Sequence, residues 1–191
     1  MRIWGSDKIR ESELIEGCKK GDRKMQKQLY GIFAPGMFAI CLRYAGDHQQ
    51  AEDMLQEGFI RVFGNIGKFR GDGSFEGWMK RIFINSAIEG YRKNLAVNHM
   101  VEVTELKNDL VQDDDFHHLA AADLLRMVQA LSPGYRTVFN LYAIEGYSHK
   151  EIADMLGINI GTSKSQLARA RMMLQKMVFA SQKVSTYAAV F

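Results

Sequence analysis

The residues best placed to do chemistry lie near the C-terminus. Ser148-His149-Lys150-Glu151 has the spacing of a capping box, in which the serine side chain meets the amide three residues on and the glutamate reaches back. An apolar turn follows (Ile152, Ala153, Met155, Leu156), then Gly157, suited to a left-handed helix end, and Asn159, suited to cap a second helix running to about Lys176. On that second helix Ser163, Leu167, Ala170 and Leu174 recur at helical spacing and are expected to face a core. The opposite side carries Lys164, Ser165, Ala168 and Met172, with Arg169 and Arg171 at its margins. Between Asn159 and Lys176 there are four basic residues and no acidic one. A helix-Gly-helix unit with a basic second helix suits the major groove, where cations pair with phosphates and short side chains let the helix approach base edges. A basic amphipathic helix on a solvated surface is the plainer alternative.

A second stripe lies upstream. Trp78, Arg81, Asn85, Glu89 and Arg92 line one side of a helix over 78–93. Two arginines offer phosphate pairing, the asparagine offers an amide to a base edge, and the indole offers a stacking surface. Before the stripe comes Lys68-Phe69-Arg70-Gly71-Asp72-Gly73-Ser74-Phe75, a polar loop with two aromatics and two basic residues that could hold an unpaired base. The alternative is that Phe69, Phe75 and Trp78 are core residues, and Phe75 is the best candidate for that use.

The helix over 51–63 has a third kind of surface. Ala51, Leu55, Gly58, Phe59 and Val62 make its core stripe, and Asp53, Gln56, Glu57 and Ile60 lie opposite, with Phe63 at the boundary. An isoleucine among carboxylates on a solvent face has the character of a protein-docking surface, an apolar anchor in an acidic patch. A single exposed isoleucine is also ordinary in soluble proteins.

These surfaces need a scaffold, and the composition bounds it. The chain has 191 residues, 47% hydrophobic and 25% charged, room for one ordinary domain or two small ones. Only two prolines, Pro35 and Pro133, argue against the many turns of an all-β fold. Apolar residues recur at helical spacing from Glu11 to Leu42, punctuated by Gly21-Asp22 and Pro35-Gly36, then from His48 to Phe63 and from Phe75 to Lys93. Ser132 is expected to cap a helix opened by Pro133. Between His99 and Asp123 seven acidic residues face one lysine, the most acidic part of the chain. The expected fold is all-α: two small helical domains over 10–95 and 120–178, joined by an acidic linker over 96–119, the second containing the helix-turn-helix. No apolar run has the length of a membrane span, and the N-terminus lacks the apolar stretch of a signal peptide. Cys18 and Cys41 form no ligand cluster, which points to a reduced, cytoplasmic setting.

Taken in order, these segments resemble the extracytoplasmic-function group of bacterial sigma factors, which carry the second and fourth conserved regions of the main sigma family. The run from Gln50 to Phe63 (QAEDMLQEGFIRVF) is similar to the group's polymerase-binding helix. Phe69-Arg70-Gly71-Asp72-Gly73-Ser74-Phe75-Glu76-Gly77-Trp78-Met79, then Arg81 to Asn85 and Tyr91-Arg92-Lys93, resembles its promoter-melting and −10 segment. Leu131-Ser132-Pro133, Glu145-Gly146-Tyr147-Ser148 and Glu151 through Arg171 resemble its −35-binding domain. The likeness spans roughly residues 10–178 and leaves the tail 179–191 without a role.

The resemblance implies an alternative sigma factor that works with core RNA polymerase and promoter DNA, with no cofactor, no metal, no catalysis and no membrane contact of its own. It also leaves room for an anti-sigma factor. Asp53, Gln56, Glu57 and Ile60 would dock on the polymerase. Lys68, Phe69, Arg70, Asp72, Trp78, Arg81, Asn85, Arg92 and Lys93 would meet the −10 region. Thr162, Lys164, Ser165, Gln166, Ala168, Arg169 and Arg171 would meet the −35 element. Three positions depart from the group's pattern: Glu89 for the usual aspartate, Gln166 for a frequent arginine, and Ser163 for the usual small aliphatic residue on the buried side. Two alternatives stay open at this point. One is a helix-turn-helix regulator with an N-terminal sensor or dimerisation domain. The other is a metal-dependent nuclease using Asp113, Asp114 and Asp115, although these adjacent carboxylates lack a rigid scaffold.

Overall fold

The computed structural model describes residues 10–97 and 121–188, with side chains described over 10–93 and 121–181. Among the described residues there are eight α-helices and no strand. They fall into two compact units whose boundary lies after Ala87. The expected acidic linker, including Asp113, Asp114 and Asp115, lies almost wholly outside the described residues. Among those described, no helix is long and apolar enough to cross a membrane, and no cluster of His, Cys, Asp and Glu is placed to hold a metal ion.

The first unit is built from α1 (Glu11–Lys19), α2 (Arg23–Tyr44), α3 (His48–Asn65), a short 3-10 turn (Ile66–Lys68) and the first part of α4 (Phe75–Val97). Asp22 caps α2 through the amides of Lys24 and Met25, and Asp47 caps α3 through Gln50. α2 runs unbroken through Pro35-Gly36, where the sequence predicts a break. Proline removes one hydrogen bond to the carbonyl four residues back. Here that residue is Gly31, which like Pro35 is exposed, so water can serve the orphaned carbonyl. The core joins Leu29, Phe33, Met37 and Ile40 of α2 to Ala51, Phe59 and Val62 of α3 and to Phe75, Met79 and Phe83 of α4. Gly58 lets α3 and α4 close: a methyl there would overlap the Phe83 ring. Leu55, expected in the core stripe, is only half-buried. Cys18 and Cys41 are buried free thiols, pushed up to about 11 and about 12 by burial, and so are poor nucleophiles.

In the second unit α5 (Ala121–Gln129), α6 (Pro133–Phe139), a π-helical segment (Asn140–Ile144), α7 (His149–Leu156) and α8 (Ile160–Ala188) follow in order. Pro133 opens α6, but the Ser132 side chain makes no capping bond. The end of α5 is served instead by the buried Arg136, whose Nη1 donates to the carbonyls of Gln129 at 2.6 Å and Leu131 at 3.3 Å. Ser148 and Glu151 form the expected capping box: the Ser148 amide donates to the Glu151 carboxylate at 2.8 Å and the Glu151 amide to Ser148 Oγ at 3.3 Å. The Ser148 hydroxyl, which donates to the Glu151 carboxylate at 2.7 Å, and then the Ser148 amide hold that carboxyl below its ordinary pKa. Gly157 ends α7 at φ 68°, a conformation an L side chain resists. Asn159 Oδ1 accepts the Thr162 amide at 2.7 Å and so caps α8. α8 extends to Ala188, well past the expected end near Lys176, so the described part of the tail continues the helix. Leu131, Ala170 and Leu174 form a core packed by Met127, Val128, Tyr135, Phe139 and Met173.

Candidate nucleic-acid and polymerase interfaces

Every residue expected to dock on the polymerase lies on the outer face of α3. Asp53, Gln56, Glu57 and Ile60 are all exposed, Ile60 at 67%, while Gly58, Phe59 and Val62 on the other side are buried. Glu57 is not a bare carboxylate. It accepts from Arg61 Nε at 2.8 Å one turn on, a surface pair worth only a few tenths of a kcal/mol, ~0.3–0.5.

Phe69, between α3 and α4, joins Phe75 and Trp78 of the first turn of α4 in an aromatic stack. Phe75 is buried and stacks on the half-buried Trp78 with ring centroids 5.5 Å apart and planes at 21°. Phe69 packs against both, at 5.1 Å and 5.5 Å. The loop tip beyond is exposed: Arg70 pairs with Asp72 at 3.1 Å, and Gly71 and Gly73 take positive φ. Phe75 is therefore core, as its plainer reading held, whereas Phe69 and Trp78 keep part of their surface open.

Beside Trp78 the unit has a cleft of about 270 Å³ lined by Arg61, Asn65, Lys68, Trp78, Ile82 and Asn85. Three of the expected residues meet here: Lys68, Trp78 and Asn85. Arg61 and Asn65 line it as well and were missed by the sequence reading. The signal was available, since residues 61, 65 and 68 share one face of a helix that continues into a 3-10 turn. Asn65 is committed locally: its amide nitrogen donates to the Arg61 carbonyl and its oxygen accepts from Lys68, both at 2.8 Å. Arg81, Arg92 and Lys93 are exposed along α4, outside the cleft lining.

On α8 the expected core face is buried, while the expected outer face is only partly open, Met172 on it being half-buried. Ser163, Leu167, Ala170 and Leu174 are buried, and Lys164, Ser165, Ala168 and Arg171 form an exposed strip. Thr162, Gln166 and Arg169 are only half-buried. Arg169 leans to Tyr135, 3.4 Å from its hydroxyl, and the Thr162 hydroxyl donates to Asn159, so both belong partly to the scaffold. Ser163, which departs from the group's pattern, does not leave a loose spot. It is fully buried with its hydroxyl 2.9 Å from His149 Nδ1.

Two family models match the chain in the same order as these surfaces: Sigma-70 region 2 over residues 29–96 and Sigma-70 region 4 over residues 121–174. Among similar proteins is the ECF RNA polymerase sigma factor SigW of Bacillus subtilis, 30% identical over 176 residues, covering 86% of this chain and 94% of that protein. RNA polymerase sigma-H factor of Pseudomonas aeruginosa is 28% identical, with 87% and 92% covered. The ECF RNA polymerase sigma-E factor of Escherichia coli is 27% identical, with 87% and 93% covered. The two regions define a sigma-70-type transcription initiation factor. The chain belongs to the extracytoplasmic-function group of these sigma factors. The region 2 match occupies the N-terminal block where the regulator alternative required a sensor domain, and so sets that alternative aside.

Proposed function

We propose that this alternative sigma factor acts in the cytoplasm, with no catalytic chemistry of its own, by dividing three tasks among three surfaces. The outer face of α3 docks on core RNA polymerase, with Ile60 as apolar anchor among Asp53, Gln56 and Glu57. A water-exposed isoleucine gains most from being covered, and the flanking carboxylates orient a basic partner surface. The exposed strip of α8 enters the −35 major groove. Lys164 and Arg171 pair with phosphates, while Ser165 and Ala168 are short enough to let the helix near the base edges, with Thr162, Gln166 and Arg169 at the flanks.

The third surface opens the −10 element, and the observation that carries it is the cleft. It gathers an indole, a free-standing amide (Asn85) and the cations of Lys68 and Arg61 around room for one unstacked base. Unstacking costs a few kcal/mol per step, and capture of the extruded base offsets part of that without ATP. Phe69, Arg70 and Asp72, on the loop outside the cleft lining, meet the opened strand, and Arg81, Arg92 and Lys93 of α4 hold backbone phosphates, Arg92 while donating to the Asp154 carbonyl at 2.9 Å. A regulator that only binds duplex DNA needs α7 and α8 but no such cleft. The acidic linker occupies a nucleic-acid path in the polymerase without competing for promoter. An anti-sigma factor would act by covering the α3 face or the α8 strip.

Reconstitution tests this reading. The pure chain is expected to bind promoter DNA weakly and to direct specific run-off synthesis from genomic fragments once mixed with bacterial core polymerase. Failure to co-purify with core, or absence of product from every fragment, would overturn it.

A further inference from the structure

The His149–Ser163 contact is not needed to cap or terminate any helix, yet it joins the first residue of α7 to the buried face of α8. It is one end of a chain of contacts. The His149 ring stacks on Tyr142 of the π-helical segment, with centroids 4.5 Å apart and planes at 22°. The guanidinium of Arg171 lies over the Tyr142 ring at 5.8 Å. Ser163 is wholly buried, His149 and Tyr142 are half-buried, and Arg171 is exposed on the strip that faces DNA in the reading above. A buried hydroxyl therefore connects through two rings to an exposed cation.

The geometry points to His149 as a positioning residue for −35 recognition: held by Ser163, its ring props the Tyr142 ring, which in turn presents Arg171 to a backbone phosphate. Three physical arguments support this. A free arginine side chain loses rotamer freedom on meeting a phosphate, and a guanidinium already resting on an aromatic face has lost part of it beforehand. A tyrosine ring free on one side would not hold that place, whereas a stacked imidazole restricts it. An imidazole turns freely unless a ring nitrogen is bound, and the buried Ser163 hydroxyl supplies that bond. Burial, then Lys164 and Arg171, lower the His149 pKa, so the ring is neutral near pH 7 and Nδ1 is able to accept the hydroxyl. The ionisable groups that act on or stack against the ring are Lys164 and Arg171 of α8 and Tyr142 of the π-helical segment.

The proposal rests on Arg171 meeting DNA, and the test separates the two claims. Holoenzyme is assembled from bacterial core polymerase and the full chain, and its affinity for a genomic promoter fragment that gives run-off product is followed against potassium chloride. Arg171→Ala is expected to weaken binding about tenfold and to reduce the salt slope by about one, the signature of one lost phosphate contact. His149→Gln keeps a hydrogen-bonding side chain for Ser163 but removes the ring, and Tyr142→Leu keeps apolar bulk but removes the stack. Both are expected to reduce the slope as Arg171→Ala does, and neither should add to it in the double variant. His149→Phe keeps a ring but gives the buried Ser163 hydroxyl no acceptor, so its slope is expected to fall between those of His149→Gln and the unaltered chain. An unchanged slope in His149→Gln and Tyr142→Leu, or losses that add to that of Arg171→Ala, overturns the positioning role while the −35 role of Arg171 stands. An Arg171→Ala holoenzyme with unchanged affinity and slope overturns both.

Discussion

The two candidate DNA surfaces of this chain are made in opposite ways. The −35 surface is one face of one helix: Lys164, Ser165, Ala168 and Arg171 are all neighbours on α8, and any α8 would present them together. The −10 cleft is assembled from three elements. Arg61 and Asn65 come from α3, Lys68 from the 3-10 turn, and Trp78, Ile82 and Asn85 from α4. The first surface depends on how α8 is seated, the second on the packing that brings α3 against α4. A face meant to slide into a regular groove can be local. A pocket for a single extruded base needs walls from several directions, and only tertiary packing supplies them.

Perturbing each scaffold should expose that contrast. The largest effect is expected from Arg136→Met, which keeps length and apolar bulk but strips the carbonyls of Gln129 and Leu131 of a charged donor. Loss of about 3 kcal/mol is expected, confined to the second unit, measured by chemical unfolding followed through domain-specific probes. Equal destabilisation of the first unit would show that the two scaffolds are not separate. Gly58→Ala is the counterpart on the other side. The overlap with Phe83 should cost about 2 kcal/mol in the first unit and impair promoter opening more than duplex binding. Should −35 duplex binding fall equally, the cleft is not a distinct device.

Trp78→Ala acts on the cleft itself. Removing the stacking face should lower open-complex formation about tenfold, read by reactivity of unpaired thymines, with holoenzyme assembly unchanged. The smallest effect is a pH dependence. The His149 pKa is lowered from 6.5, by burial first and then by Lys164 and Arg171, so the unfolded chain takes up this proton more readily than the folded one. The stability contribution is whole above pH 6.5 and is lost as pH falls through the lower folded value. Thermal unfolding at about pH 5 and about pH 8 should show that loss in the second unit, and His149→Phe should remove it while sparing the first.

Much of this was legible from residues alone because the signals were local. The capping box at Ser148, the left-handed turn at Gly157 and the Asn159 cap each involve groups within four residues. The α8 faces follow from a single helical period. The outer face of α3, with Ile60 among acidic neighbours, was readable for the same reason. Pro35 misled, because its cost depends on whether the carbonyl four residues back faces water, which burial decides. The end of α8 lies past Lys176 because no glycine, proline or cap near that residue stops the helix.

Periodicity and capping act over one or two turns, so the residues alone settle which helices form, where most of them start, and which side of most is wet. The family, too, is written in three motifs in order. Packing between helices is what brings Arg61 and Asn65 to Trp78 at one cleft, turns Arg136 inward to finish another helix, and sets Ser163 against His149. These contacts join residues on different helices or on opposite sides of a turn. Their partners are chosen by packing geometry, which no local pattern encodes.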